Sequence, residues 1–124
     1  MSWRLAFVGD IMLQRPVLAT SAVSLLRDAP LTFGNLEVPF SAGGEPADKP
    51  IVFRACPSLV PELNRMGLRV VSFANNHALD YGTQAMRDTV TAVRQAGIGV
   101  VGAGANLREA MAPLVTAVQS VRIA

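Results

Sequence analysis

One cysteine, one histidine, one tryptophan and one tyrosine occur among the 124 residues. The lone Cys56 rules out an intrachain disulfide, and cysteine usage offers no pointer to an oxidising compartment. Charge is sparse too. Ten Arg and one Lys stand against nine acidic residues, a net charge of +2. That excess is too weak and too dispersed for a nucleic-acid surface, and no block of like charges marks a binding tail. No stretch approaches the ~20 apolar residues of a membrane helix. The first apolar run, Leu5-Ala6-Phe7-Val8, is interrupted by Asp10, and no small-residue cleavage site follows it as in a signal peptide. These absences predict a soluble, cytoplasmic chain with no membrane segment and no nucleic-acid partner.

What is present is a globular composition. Half the residues are apolar, enough for one domain with a real core, though small for an α/β enzyme. Trp3 to Val8 reads as a buried first strand ended by Gly9-Asp10. Pro16 to Arg27 reads as a helix with Val17, Leu18, Val23, Leu25 and Leu26 on its apolar face. Leu31-Thr32-Phe33 is a second strand entering Gly34-Asn35-Leu36-Glu37. Ser41 to Pro50 is the one long loop, and Ile51-Val52-Phe53 a brief strand. Pro57 to Met66 is a short helix stopped by Gly67. A strand over Leu68 to Ala74 then leads to a helix from Gly82 to Ala96, in which Met86, Val90, Val93 and Ala96 fall on one core-facing stripe. Gly99-Val100-Val101-Gly102 is another buried strand, Leu107 to Met111 a helical turn, and Val115 to Val118 with Val121 to Ala124 a hairpin. The alternation predicts an α/β fold, a largely parallel sheet flanked by helices with right-handed crossovers. A strand that stops at its last residue predicts a sheet continuing past Ala124, so the single domain over 1–124 is expected to be incomplete at its C-terminus.

Polar groups gather where strands end: Asp10, then Asn35 with Glu37, then Asn75-Asn76-His77 with Asp80. In open α/β sheets ligands bind beyond the carboxyl ends of the strands. Parallel neighbours bring these three groups to one edge. Oxygen donors with one imidazole suit Mg²⁺ or Mn²⁺, with Fe or Zn²⁺ as alternatives. Such an ion polarises a phosphoryl oxygen and acidifies a bound water, while an imidazole beside it can act as a general acid or stabilise developing charge. Plainer readings stand beside these. His77 can cap a helix or bond a loop carbonyl, and Asp80 sits where Asp is favoured as a helix N-cap. Asn35 and Glu37 can organise a turn, and Arg54 can form a surface ion pair. Cys56 reads as a small packed residue. Gly102-Ala103-Gly104 lacks the third glycine of a dinucleotide loop and reads as a tight strand-to-helix turn.

Gly9-Asp10-Ile11-Met12-Leu13, Gly34-Asn35-Leu36-Glu37, Phe53-Arg54-Ala55-Cys56-Pro57, Ala74-Asn75-Asn76-His77-Ala78-Leu79-Asp80-Tyr81-Gly82 and Gly102-Ala103-Gly104 occur together in one order and spacing. In these blocks the chain resembles bacterial capsule-synthesis proteins of the CapA type, associated with poly-γ-glutamate capsule production and similar to calcineurin-like metallophosphoesterases. The resemblance implies the N-terminal half of a four-layer metallophosphoesterase-like domain. It implies a metal site drawn from Asp10, Asn35, Glu37, Asn76 and His77, with His77 and Asp80 catalytic and Arg54 binding substrate. The expected metal is Mn or Mg, with Fe or Zn as alternatives. A polyglutamate-related or other small-molecule substrate follows, with capsule-synthesis membrane proteins as partners and family-style association with the membrane. Two departures stand out. Met12 occupies a position where the pattern has histidine, and no histidine follows His77. They favour the rival reading of a non-catalytic accessory subunit on the same fold. A small nucleotide-binding α/β domain, resting on Gly102-Ala103-Gly104 alone, is the third reading. Missing sheet would leave strand edges open to homodimerisation.

Overall fold

The computed structural model describes residues 4–124, so Trp3, expected to open the first strand, lies outside the described residues. Four parallel strands form the central sheet in sequential order: β1 (Leu5–Ile11), β2 (Leu31–Leu36), β3 (Val70–Ser72) and β4 (Gly99–Val101). Helices α1 (Ser21–Arg27), α2 (Val60–Arg65) and α3 (Gly82–Gln95) lie in the connections. A short α4 (Leu107–Ala110) leads to an antiparallel hairpin, β5 (Thr116–Val118) and β6 (Val121–Ile123). The α/β class and parallel sheet expected from the alternation of strand and helix are what the chain forms.

Side chains alternate across a strand, so each strand serves two faces. On one face Leu36, Val71 and Val100 meet Val60 and Leu63 of α2 and Met86, Val90 and Val93 of α3 in the main core. Buried residues of α3 fall at 85, 86, 89, 90 and 93, the spacing of one helical stripe. The helix ends in a Schellman motif. Gly97 at φ 80° donates to the Arg94 carbonyl (2.9 Å), and Ile98 donates to that of Val93 (3.2 Å). The same pair of bonds closes α2 around Gly67, so both helices turn directly into a strand. On the other face Leu31, Val70 and Val118 form a smaller cluster under the hairpin, with Phe33, Leu114 and Ile123 against it. Phe7 on this face stays 69% exposed.

Three local expectations are corrected. The first helix begins at Ser21, not Pro16: Thr20 is its N-cap, its hydroxyl accepting from Val23 N–H at 3.3 Å, while the Val17 N–H is drawn away to Glu62 Oε2 at 2.9 Å. Leu18, before the helix, and Leu25, within it, are exposed rather than core. Ile51-Val52-Phe53 forms no strand, because the Phe53 N–H is committed to a side chain, and the only pairing of this loop is an isolated bridge of Ala55 with Phe40. Cys56 is exposed instead of packed, and its thiol accepts from the Ser58 hydroxyl at 3.0 Å, a bond that pulls it below its ordinary pKa.

Candidate functional site

The site is built by a bulge. Phe7 of β1 pairs with Phe33, yet Asp10 pairs with Asn35, so β1 carries one extra residue over that interval. Gly9 lies inside the bulge, the usual place for glycine within a strand. Without the extra residue Gly9 would stand beside Asn35. With it, Asp10, Asn35 and Ser72 lie abreast across three strands.

Asn35 joins the carboxylates. Its Nδ2 donates to Asp10 Oδ1 at 2.8 Å and to Glu37 Oε1 at 2.7 Å. Its orientation is set from the turn after β3, where Asn75 Nδ2 donates to Asn35 Oδ1 (3.1 Å) and to the Leu36 carbonyl (2.7 Å). Asn75 Oδ1 in turn accepts from the His77 N–H at 3.0 Å. One carboxamide therefore links β2 to the loop that carries the imidazole.

His77 is buried, with Nε2 3.7 Å from Glu37 Oε2 and Nδ1 2.7 Å from Asp80 Oδ2. Phe53 covers the ring, centroid to centroid 4.2 Å. Asp80 is fully buried and does not cap α3: Tyr81 is the N-cap residue and makes no side-chain capping bond. The Asp80 carboxylate instead turns inward, accepting from the Phe53 N–H at 2.5 Å and pairing through Oδ1 with Lys49 Nζ. Burial pushes this carboxyl up, but Lys49, the Phe53 amide and His77 together outweigh it and hold its pKa below the ordinary value. An ionised carboxylate only accepts, so the proton of the Asp80–His77 bond sits on Nδ1 and Nε2 faces Glu37.

Asp10, Asn35, Glu37, His77 and Asp80 are thus gathered in one connected set. Asn76 stands apart. It is exposed, lines a cavity of ≈ 560 Å³ with Ala74, Leu79, Met86 and Gly104, and only its carbonyl reaches the network, accepting from Lys49 Nζ at 2.7 Å. Arg54 is exposed, its guanidinium 4.2 Å above the Tyr81 ring, and forms no ion pair among the described residues. Met12, at the position where the resemblance calls for histidine, is 45% exposed. The residues that sequence reasoning passed over are Lys49 and the backbone amide of Phe53. One signal was available: Lys49 is the single lysine of the chain, in a loop otherwise made of small residues, proline, Glu45 and Asp48.

Two carboxylates sharing one neutral amide leave most of their acceptor sites unmatched, since each ionised carboxylate offers about four. That donor chemistry fits a hard divalent ion. Among the described residues no three His, Cys, Asp or Glu side chains are grouped so as to hold a metal ion, and the atom of Asn35 that lies between the two carboxylates is its donor Nδ2.

The chain matches the model of the family described as bacterial capsule synthesis protein PGA_cap over residues 4–124. It belongs to that family. A Mycobacterium tuberculosis protein named "Probable polyglutamine synthesis accessory protein" is 50% identical over 74 residues, covering 59% of this chain and 20% of the relative. The PGA biosynthesis protein CapA of Bacillus subtilis is 33% identical over 118 residues, covering 85% of this chain and 31% of the relative. The capsule biosynthesis protein CapA of Bacillus anthracis is 31% identical over 135 residues, covering 97% and 33%. The chain therefore spans between a fifth and a third of these relatives. Within this capsule-synthesis family member, no helix of the described residues is long and apolar enough to cross a membrane.

Proposed function

We propose that this capsule-synthesis family member acts in the making or export of a capsular poly-glutamate, through a metal-dependent phosphoesterase-like site at the carboxyl edge of its sheet. The supporting observation is the single network in which Asn35 Nδ2 bridges Asp10 and Glu37 while His77 Nε2 faces the same Glu37. The biological setting comes from the names of the relatives, which speak of PGA, capsule and polyglutamine synthesis.

On this reading Asp10 and Glu37, with Asn35 between them, hold a divalent ion, Mn or Mg before Fe or Zn, and His77 stands beside it as the proton carrier. When bound, such an ion supplies Lewis acidity, which polarises a phosphoryl oxygen and eases loss of a proton from water. The chain's own residues do the rest. Glu37 and Asp10 set the charge of the edge, and Asn75 keeps Asn35 oriented. Asp80 keeps the His77 ring turned so that Nε2 can exchange a proton with the leaving oxygen. Arg54, stacked on Tyr81, holds a cation near the mouth for an anionic substrate.

The test is thermal unfolding with and without Mn²⁺, Mg²⁺, Fe²⁺ or Zn²⁺, with Glu37→Gln beside the wild type and an aryl phosphate turnover assay alongside. A site occupied at a hundredfold excess over Kd stabilises by about 2.7 kcal/mol, so the wild type should rise in midpoint and Glu37→Gln should not. Metal-dependent turnover lost in Glu37→Gln completes the reading. No midpoint shift with any of the four metals sinks it. The second reading then leads, an accessory subunit without turnover that works beside capsule-synthesis membrane proteins. Exposed Met12 and the accessory name of the mycobacterial relative favour that alternative.

A further inference from the structure

The loop of residues 41–56 passes over the back of the imidazole, and three of its bonds reach Asp80. Ala47 N–H donates to the Asp80 carbonyl at 2.8 Å, Phe53 N–H donates to Asp80 Oδ2 at 2.5 Å, and Lys49 Nζ pairs with Asp80 Oδ1. Lys49 also donates to the Asn76 carbonyl at 2.7 Å, in the turn that carries His77. The lysine side chain is only 28% exposed and its partner carboxylate is fully buried. Uncompensated, a buried carboxylate is strongly disfavoured. The Lys49 ammonium pairs directly with Oδ1 of Asp80 and is the charge that matches it.

We propose that Lys49 is a positioning residue for His77, acting through Asp80. It touches no group at the Asp10–Asn35–Glu37 edge. It keeps the Asp80 carboxylate aimed, so that Oδ2 holds His77 as the Nδ1–H tautomer with Nε2 toward Glu37, and it clamps the Phe53 ring over the imidazole. Carboxylates that orient a working histidine in this way fix both tautomer and ring angle. The inference rests on His77 being the working imidazole of the proposed site, but its geometry is measurable without turnover.

The experiment is ¹⁵N NMR of protein labelled at histidine, with a His77→Gln variant to identify the signal. Wild type and Lys49→Arg should each show one tautomer, protonated at Nδ1 and unprotonated at Nε2. Lys49→Met should show the two nitrogens averaging toward each other, with faster exchange of the Phe53 amide. Lys49→Gln, which keeps a donor for the Asn76 carbonyl without the charge, is the second variant. The reading is taken from whichever of the two retains the wild-type far-UV circular dichroism. In the aryl phosphate assay, removing the lysine should lower kcat about ten- to a hundredfold, the scale of lost orienting partners, with KM unchanged and recovery in Lys49→Arg. Unchanged histidine shifts in the charge-free variant overturn the proposal, as does equal disturbance in Lys49→Arg. If the wild type turns over no phosphoester, the phosphoesterase reading fails, and the NMR result alone decides for or against Lys49.

Discussion

Asp80 Oδ2 lies 2.7 Å from His77 Nδ1, and the same oxygen accepts the Phe53 N–H at 2.5 Å. A single carboxylate oxygen thus joins a residue three positions upstream to a loop 27 positions upstream. The local half follows from the turn itself, where Asp80 N–H donates to the His77 carbonyl at 3.1 Å. The distant half commits a backbone amide that would otherwise pair in a strand. The ring, its cover and the loop therefore share one electrostatic anchor.

That anchor should show in acid. Asp80 has a lowered folded pKa, so the stability it contributes is present above the ordinary carboxylate value of about 3.9 and is lost as pH falls from there through the folded value. Asp80→Asn should flatten this part of the pH profile in urea unfolding. At neutral pH it should cost about 3 kcal/mol, because removing one partner of a buried pair strands the other.

Thr89 is fully buried in α3, and its hydroxyl both accepts from the Phe40 N–H (2.8 Å) and donates to the Ala85 carbonyl (2.7 Å). Thr89→Val keeps the shape but leaves the Phe40 amide without a partner, at an expected cost of about 1–3 kcal/mol. Thr89→Ser retains the hydroxyl and should lose less. Chemical denaturation of the two variants side by side measures the difference, and equal losses would assign the effect to packing.

Gly44 sits in the loop over His77 at φ 88°, where an added Cβ would run into the Tyr81 carbonyl. Gly44→Ala meets the left-handed backbone penalty of about 1–2 kcal/mol and must also move the loop. The expected outcome is a lower thermal midpoint with faster hydrogen exchange at the Ala47 and Phe53 amides. Protection at both amides equal to wild type would show that the loop is not held at this point.

Much of the fold was legible because it rests on short-range patterns. Apolar runs near Val71 and Val100 alternate with the helical stripe of Met86, Val90 and Val93, and a parallel sheet follows. Helix stops were legible at Gly67 and Gly97. The first helix was read too long, because apolar residues at 17 and 18 match the pattern while Thr20 caps the helix and Glu62, far along the chain, takes the Val17 amide.

At the site, the residue types and their position at strand ends were set by the chain alone. Asp10, Asn35, Glu37 and His77 stand after or at the ends of apolar strands, and parallel pairing brings them to one edge. Only the tertiary structure decided which side chains meet. The bulge between Phe7 and Asp10 sets which residue of β1 stands beside Asn35, and it is a register choice between two strands. Asn75 rather than Asn76 turns toward Asn35 because the backbone after β3 carries adjacent side chains to opposite sides. Lys49 and Phe53 reach Asp80 across 31 and 27 positions through a loop with no periodic pattern to read. Local sequence determines what a segment becomes, because propensity and hydrophobic period act over a few residues. Charge pairing, register and burial are settled between segments, and they exist only once the chain has packed.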